Sequence, residues 1–260
     1  VSVARQNGRE GVLSELYGVT HWDFDFKGHK LQGDWQAALG VTIRCHHLAF
    51  MSMEGEAKRD WPASINYQSP WWEKYHYIED YFARINTALT RGKALVKVAV
   101  VHPIESYWMC YGPAAQTGAR REQMDKNFKD LINWLLFGLV DFDFLSESLL
   151  PGQCGEGEPE PPFSGQRGEG RGAGTLAVGG MNYRTVLVPG LLTIRSTTLE
   201  RLERLAEEGG RVIFMGNIPH MVDGEESDRA QRLAERTEVI PHQEYELLRA
   251  LEEDRDVEIR

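Results

Sequence analysis

The stretch ALVKVAVVHP, residues 94–103, decides the fold class, because it is a nearly continuous apolar run that ends at a proline. A short apolar run of this kind predicts a buried β-strand. Strand-like and helical segments then alternate along the following chain. The strand-like segments are VDFDFLSESLL (140–150), TVLVPG (185–190) and RVIFMGNIP (211–219), and the helical ones are REQMDKNFKDLINWLLFG (121–138) and TTLERLERLAEEGG (197–210). This alternation predicts an α/β domain with a parallel, flavodoxin-like sheet over residues 94–245.

A shorter α/β series precedes this domain. The strand candidates are GVLSELYG (11–18) and VTIRCHHLAFM (41–51), and the helix candidates are HKLQGDWQAALG (29–40) and YHYIEDYFARINTALTRG (75–92). Tyr81, Phe82, Ile85 and Leu89 give the last helix one apolar face, which we expect to be buried. Two strands do not form a stable parallel sheet alone. Residues 11–92 are therefore predicted to be the end of a larger α/β domain, or to pack on the domain that begins at residue 94.

Two further segments differ in composition from these domains. Residues 155–174 are dominated by glycine, proline and charge, and this composition predicts a disordered surface loop. The final stretch, HQEYELLRALEEDRDVEIR (242–260), predicts a helix that runs into a strand. We expect residues 246–260 to begin a further C-terminal element.

Composition disfavours several classes of partner. The formal net charge of −10 at pH 7 argues against nucleic acid and anionic membranes, because an acidic surface is repelled by both. No apolar run approaches the ~18 residues of a membrane span. The three cysteines, Cys45, Cys110 and Cys154, have neither paired nor metal-like spacing, which suits a reducing cytoplasm. Dinucleotide, P-loop and nucleophile-elbow motifs are absent from the sequence, and we expect no cofactor and no metal.

Glu15 is the first candidate for catalysis, because it stands at the end of a predicted parallel strand with a loop directly after it. Barrel enzymes keep their catalytic groups at this position. Cleavage of a glycosidic bond needs two carboxyl groups, one to protonate the leaving oxygen and one to attack or to activate water. The alternative, which the local pattern leaves open, is a hydrogen-bonded surface carboxylate.

Aromatic and polar residues crowd the loops after the two strands. Tyr17, Trp22 and Trp71 are candidates for stacking on a sugar, and Asp23 is a candidate for binding its hydroxyls. A packed aromatic face opposite a solvated acidic face is the alternative, and Asp23 with Asp25 also makes calcium conceivable. The tandem pair His46 and His47 ends the second strand, where its side chains point to opposite faces, so at most one enters a site.

Several segments together resemble a known family. SVARQNGREGVLSELYG (2–18), HKLQGDWQAALGVTIRCHHLAF (29–50) and INYQSPWWEKYHYIEDYFARINTALTRGKALVKVAVVHPIESYW (65–108) resemble the C-terminal part of bacterial glycoside hydrolases. The group is the α-L-rhamnosidase-like and β-galactosidase-like barrel enzymes of the large Glu-dependent clan. The segment YRTVLVPGLLTIRSTTLERLERLAEEGGRVIFMGNIP (183–219) resembles the glutamine-amidotransferase-like domain that comes after their barrel.

The resemblance implies a division of the chain and a site. Residues 1–93 would be the C-terminal part of a (β/α)₈ barrel, and residues 94–245 the amidotransferase-like domain. Glu15 would match the later of two catalytic carboxylates, and His47 a histidine near the sugar. Residues 17–25 would form the loop that shapes the sugar pocket. The first carboxylate and six strands would precede Val1, so that the isolated chain would be an inactive fragment.

The same resemblance implies partners. The substrate would be a carbohydrate, and the second domain would help to form a homo-oligomer. The sugar, the linkage and the retaining or inverting outcome do not follow from these residues. The rival hypothesis is a non-catalytic module for oligomerisation or carbohydrate binding. An upstream reading frame of several hundred residues with a second glutamate would favour the enzyme, and a start codon just before Val1 would favour the module.

Overall fold

The computed structural model describes residues 1–56, 65–154, 174–255 and 257. The chain divides into two compact units. Unit 1 comprises Val1 and residues 9–94, and unit 2 comprises residues 2–8 and 95–260. The first helix, α1 (Ser2–Gln6), therefore belongs to unit 2, although the resemblance assigned residues 1–93 as a whole to the barrel part.

Unit 1 is built on two parallel strands and two helices. Strand β1 (Leu13–Leu16) pairs with β2 (Ile43–His46), and this register places Glu15 opposite Cys45. Helix α2 (Phe26–Ala38) connects them and begins where the Asp25 carboxylate accepts a hydrogen bond from the Gly28 backbone N–H. Because this cap fixes the start, the helix begins ahead of the predicted residue 29. Helix α3 (His76–Leu89) comes after a 3₁₀ turn at Trp72–Lys74.

The two faces of the β1–β2 pair have different surroundings. On one face Leu16 is buried, and the Arg44 guanidinium lies 4.0 Å from the centre of the Phe82 ring of α3. On the other face Leu13 is 60% exposed and Ile43 is 48% exposed. Glu15 lies on this second face, as the alternation of a strand requires. The residues that the structure describes leave this face open, and we call it the open face.

Unit 2 contains a five-stranded sheet in which every neighbouring pair is parallel. Starting from one edge the order is β4-β3-β7-β9-β12, which reads 2-1-3-4-5 in chain order and is the flavodoxin-like order. The strands are β3 (Val98–Val101), β4 (Phe142–Leu145), β7 (Thr185–Val188), β9 (Arg211–Met215) and β12 (Glu238–Ile240). The predicted α/β class with a parallel sheet is confirmed.

Helices cover both faces of this sheet. On one face α5 (Ala114–Phe137) and α9 (Glu244–Ala250) bury Leu131, Leu135 and Leu247 against β3. On the other face α7 (Ser196–Glu207) buries its leucines in a second cluster. The smaller elements are α4 (Ile104–Met109), α6 (Leu150–Gln153), α8 (Arg229–Ala234), a hairpin of β5 (Leu176–Val178) with β6 (Met181–Tyr183), and a small sheet of β8 (Thr193–Ile194), β10 (Met221–Val222) and β11 (Glu225–Glu226).

The structure corrects three details of the sequence prediction. Helix α5 begins at Ala114, ahead of the predicted residue 121, because the chain turns helical directly after Pro113. Leu89, predicted to be buried, is exposed at the end of α3. Residues 246–255 do not leave unit 2, since Leu247 and Leu251 pack in its core and a 3₁₀ turn comes next at Glu252–Asp254. The predicted loop at 155–174, apart from Gly174, lies outside the described residues.

Helix α1 is held to unit 2 by a buried polar network. The Gln6 side-chain amide donates to the Phe144 carbonyl oxygen at 2.9 Å. Arg5 forms ion pairs with Asp141 at 3.1 Å and with Asp143 at 3.4 Å. The Tyr183 hydroxyl donates to Asp143 at 3.0 Å, and burial raises the pKa of this tyrosine. Because Asp143 is fully buried, these donors are what makes its charge tolerable in the core.

No helix within the described ranges is both long and apolar enough to cross a membrane.

Candidate functional site

Glu15 and His47 form a pair at the carboxyl ends of β1 and β2. The His47 backbone N–H donates to the Leu16 carbonyl oxygen at 2.8 Å, which continues the strand pairing one step beyond β2. This places His47 Nδ1 at 2.5 Å from Glu15 Oε1. The Glu15 side chain is 63% exposed, so that one edge of the carboxyl group faces solvent while the imidazole orients the other. The pair has the geometry of a positioned, accessible carboxyl group.

The backbone around this pair is strained. Tyr17, Val19 and His21 have φ values of 68°, 57° and 61°, and Leu48 has a φ of 28°. The left-handed region is costly for a residue with a Cβ, and most of all for a β-branched residue such as Val19. Residues with such strained backbone persist only where the surrounding structure holds them in place, and they cluster at functional sites. Sequence reasoning did not detect this strain.

Gly18 lies against the His47 ring. A Cβ at position 18 would stand 3.0–3.2 Å from the His47 ring and Cβ atoms, which is closer than ordinary van der Waals contact. The absence of a side chain at Gly18 therefore lets the backbone approach the imidazole that contacts Glu15. The sequence analysis missed this close approach, and the glycine directly after Tyr17 is the signal that marks it.

Tyr17, predicted to contact the sugar, lies instead in the core of unit 1 and is only 1% exposed. Its hydroxyl donates to the His29 carbonyl oxygen at 3.1 Å and accepts from Arg44 Nη1 at 3.2 Å. Burial raises the pKa of Tyr17. The structure thus does not bring Tyr17 to the open face where Glu15 lies.

Trp22 and Asp23 lie in the loop before α2. Both are exposed, and within the described part of the chain neither side chain makes a hydrogen bond or an ion pair. Asp25, the possible partner of Asp23 in binding a cation, is the cap of α2. Among the described residues no group of three His, Cys, Asp or Glu side chains is placed to hold a metal ion.

Trp71, the remaining candidate for sugar stacking, packs within unit 1. Its ring centroid is 5.1 Å from that of Phe26 and 5.9 Å from that of Tyr75. The indole is partly buried at the edge of an apolar cluster around Tyr75, Ile78 and Phe82. This packing accounts for Trp71 without a sugar, although part of its indole is still accessible.

The tandem histidines point to opposite faces, as predicted. While His47 contacts Glu15, His46 Nε2 lies 2.9 Å from the Tyr75 hydroxyl and 3.3 Å from Glu79 Oε1. The Arg44 guanidinium also contacts Glu79, at 2.9 Å. Hydrogen bonding from His46 and the charge of Arg44 lower the pKa of Glu79. This network fixes α3 against β2 and thereby supports the strand end that carries His47.

His29 is a buried titratable group that the sequence analysis did not single out. It is 0% exposed, and its ring lies 4.6 Å from the ring centroids of both Tyr17 and Phe24. Nδ1 is 2.7 Å from the Asp25 carbonyl oxygen, whereas Nε2 has no hydrogen-bond partner among the described residues. Nδ1 therefore carries the proton, and burial lowers the pKa of His29.

The lowered pKa of His29 predicts acid sensitivity of unit 1. In the unfolded chain His29 is protonated below about pH 6.5, whereas in the folded chain its lowered pKa keeps it neutral to lower pH. Protonation therefore favours the unfolded chain, and the free energy of unfolding falls as the pH drops below about 6.5. We expect the protection factors of the α2 amides, which are corrected for the slower intrinsic exchange at low pH, to fall between pH 7 and pH 5. The variant His29→Phe should remove this loss of protection. An unchanged pH profile in that variant would assign the effect to another group.

Comparison with solved structures shows that this chain is similar in fold to glycoside hydrolases. The chain superposes on a rhamnosidase from Novosphingobium sp. PP1Y with a TM-score of 0.58 and 16% sequence identity, over 97% of this chain and 23% of the rhamnosidase. A cold-adapted β-galactosidase from Rahnella sp. R3 gives a TM-score of 0.49 and 15% identity, over 77% of this chain and 26% of that one. A GH42 β-galactosidase, Gan42B, gives 0.44 and 12%, over 76% and 25%.

Of these three, the rhamnosidase alone has a TM-score above 0.5, and it supports a common α/β fold. The chain spans 23% of the rhamnosidase's length. No protein-family model matches the sequence. No curated protein matches it either.

Proposed function

We propose that this chain is part of a glycoside hydrolase, in which Glu15 is one of the two catalytic carboxyl groups. The observation that carries the proposal is the Glu15–His47 pair at the ends of two parallel strands, exposed on the open face. The fold shared with the rhamnosidase supports the class of enzyme. Glu15 would act as the nucleophile in a retaining enzyme, or as the base that activates water in an inverting one.

In this proposal His47 is a positioning residue. Its Nδ1–H holds one carboxylate oxygen at 2.5 Å and leaves the other free for the sugar. This contact fixes the orientation of the carboxyl group, which both a nucleophile and a base require. Trp22 and Asp23, which are exposed in the loop after β1, stay candidates for contacting the substrate.

The open face suggests how the site is completed. Leu13 and Ile43 are apolar and exposed below Glu15, as expected of side chains that point into the interior of a barrel whose other strands are not among these residues. We propose that strands outside these 260 residues cover this face and supply the second carboxyl group. The rhamnosidase, of which the chain spans only 23%, has the length for such strands.

The proposal is tested on the full-length protein with a panel of nitrophenyl glycosides. The panel should include the α-L-rhamnoside, the β-D-galactoside and the α-L-arabinoside. We expect hydrolysis of at least one of them, and its identity names the sugar. The proposal would be contradicted if the folded protein hydrolysed no member of this panel and also left a wider panel of glycans uncleaved. That result would favour a non-catalytic module.

The isolated 260-residue chain is expected to be inactive on the same panel. Glu15 would be only one of the two required carboxyl groups, so the isolated chain lacks the acid that protonates the leaving oxygen. The described residues also leave the face of Glu15 open, so water is not excluded from the site. The measurement is the rate of nitrophenol release, compared with the full-length protein at equal concentration. Robust hydrolysis by the isolated chain that is lost in Glu15→Gln would show that the site is complete without further strands.

Three further expectations stay predictions. They are self-association through unit 2, a glutamine-amidotransferase-like origin for that unit, and a cytoplasmic location. Trp108 and Tyr111 are exposed in unit 2 and are available to a second copy of the chain. Light scattering of the full-length protein measures the oligomeric state directly. A monomeric mass across the micromolar range would contradict the predicted homo-oligomer.

A further inference from the structure

A cavity of about 490 Å³ lies at the carboxyl edge of the five-stranded sheet of unit 2. The segments after β3, β7, β9 and β12 all contribute to its wall. Strand β3 leads through the short helix α4 to α5 on one face of the sheet, whereas the neighbouring β7 leads to α7 on the other. The chain therefore leaves two adjacent strands in opposite directions and opens a crevice between them. In open α/β sheets this is the position where small ligands bind.

Most of the surface of the cavity wall is apolar, although polar side chains, among them His102, Gln123, Asn127 and His242, also line it. Ile104, Met124, Phe128 and Met215 supply the apolar surface. A cavity of this size, lined in this way, fits a compact ring system better than an extended polar chain. The ring of Phe128 offers a flat contact, and the two methionines adapt to the edge of a planar ligand.

Two histidines line the cavity: His102 offers a hydrogen bond from its wall, and the buried His242 Nε2 also has no hydrogen-bond partner among the described residues. The ring of His102 packs edge-on against Phe128 at 5.2 Å and against Phe144 at 5.5 Å between centroids. Its ring nitrogens have no hydrogen-bond partner among the described residues. Burial lowers the pKa of His102, so the imidazole is neutral and recognises a hydroxyl or a ring nitrogen rather than a charge.

A positively charged side chain, that of Arg120, lies at the mouth of the cavity. Arg120 shares one face of α5 with Gln123 and Asn127, at spacings of three and seven residues, and all three line the cavity. Within the described ranges no carboxylate forms an ion pair with the Arg120 guanidinium. Asp125 also lies at the rim, but five residues separate it from Arg120, which rotates it by about 140° around the helix axis. The mouth therefore presents a free positive group in a chain of net charge −10.

We propose that this cavity is a binding site for a small planar aromatic anion. The ring lies against Phe128, a hydroxyl or ring nitrogen bonds to His102, and the anionic group reaches Arg120. A carboxylate or phosphate on the ligand would satisfy Arg120 in the same way. The site lies within unit 2 and involves no residue of the glycosidase proposal, so it does not depend on that proposal.

The test uses the full-length protein and 6-hydroxy-2-naphthoate, a fluorescent planar anion with a hydroxyl at the far end. Binding is measured by fluorescence titration and by calorimetry, with 6-hydroxy-2-naphthamide and 2-naphthoate as the uncharged and the hydroxyl-free analogues. We expect the hydroxynaphthoate to bind about tenfold more tightly than either analogue. Neither readout depends on glycosidase activity.

Three variants separate the contributions. Arg120→Gln should remove the preference for the carboxylate over the amide, and it alters only an exposed side chain. His102→Phe should remove the preference for the hydroxyl, and Met124→Trp should block binding of all three probes by filling the cavity. The matched control Arg232→Gln changes an exposed arginine on α8, paired with Asp228 at 2.9 Å, and should leave binding unchanged.

Two results would overturn the proposal. One is the absence of saturable binding of the hydroxynaphthoate at millimolar concentration. The other is binding that Arg120→Gln and Met124→Trp leave unaltered, which would place the probe elsewhere on the protein. Displacement of the probe by an uncharged methyl galactoside at lower concentration would also overturn it, because the ligand would then be a sugar rather than an aromatic anion.

Discussion

Glu15→Gln in the full-length protein is expected to lower kcat on its best nitrophenyl glycoside by about 10³-fold or more, with little change in stability. The substitution keeps the size of the side chain, and the new amide oxygen can still accept the hydrogen bond from His47 Nδ1. What is lost is the negative charge that attacks the sugar or takes a proton from water. Nitrophenol is a good leaving group and needs little protonation, so a large loss on these substrates points to a nucleophile or base and not to the acid.

The control for this experiment is Glu10→Gln. Glu10 is an exposed glutamate just before β1, and the same chemical change there should leave kcat near that of the wild type. Thermal unfolding of both variants should match the wild type. Full activity in Glu15→Gln with an intact fold would make Glu15 a structural carboxylate. A small loss on nitrophenyl glycosides that grows on substrates with poorer leaving groups would reassign Glu15 as the general acid.

The architecture of unit 2 could be predicted because its strands are buried on both sides. All four residues of β3 and all four of β7 are buried, and such strands appear in a sequence as continuous apolar runs. The start of α5 could not be predicted in this way. Its first turns, AAQTGAR, have no apolar periodicity, and the packed residues Leu131 and Leu135 lie near its other end.

The candidate site was only partly predictable for a different reason. Glu15 and His47 follow from the positions of strand ends, but their 2.5 Å contact depends on the register of β1 against β2, which is a long-range property. Alternation alone would place Tyr17 on the same face as Glu15. A φ of 68° at Tyr17 breaks this alternation, and the ring lies in the core instead. A tyrosine that stacks on a sugar and one that packs in a core cannot be told apart by local composition.

The attachment of α1 to unit 2 was outside the reach of local patterns, because its partners lie far along the chain. The Gly180 backbone N–H donates to the Gln6 carbonyl oxygen at 2.8 Å, and the preceding Gly179 has a φ of 56°. A Cβ at position 179 would stand only 1.9 Å from that same oxygen. Gly179 is therefore required twice, once for its backbone conformation and once for the close approach of residues 2–8.

Gly179→Ala is accordingly expected to destabilise unit 2 by about 3 kcal/mol or more and to release α1. The left-handed backbone alone costs an alanine about 1 kcal/mol, and the clash with the Gln6 carbonyl must be relieved by displacing backbone rather than a flexible side chain. Displacement of α1 would also remove Arg5 and Gln6 from the buried network, which leaves the buried Asp143 without its arginine partner and with only the Tyr183 hydroxyl as a donor. Chemical denaturation gives the free energy of unfolding, and limited proteolysis after Arg5 reports the release of α1.

The matched control for this variant is Gly209→Ala. Gly209 has a φ of 88°, and no atom lies within 4 Å of the position that its Cβ would occupy, so it carries the conformational cost without the clash. We expect a loss of about 1 kcal/mol and no change in proteolysis after Arg5. The difference between the two variants isolates the contribution of the contact between residues 2–8 and the β5–β6 hairpin. If both variants lost the same free energy of unfolding, this contact could be displaced without destabilising unit 2. In that case α1 would not be an integral part of unit 2.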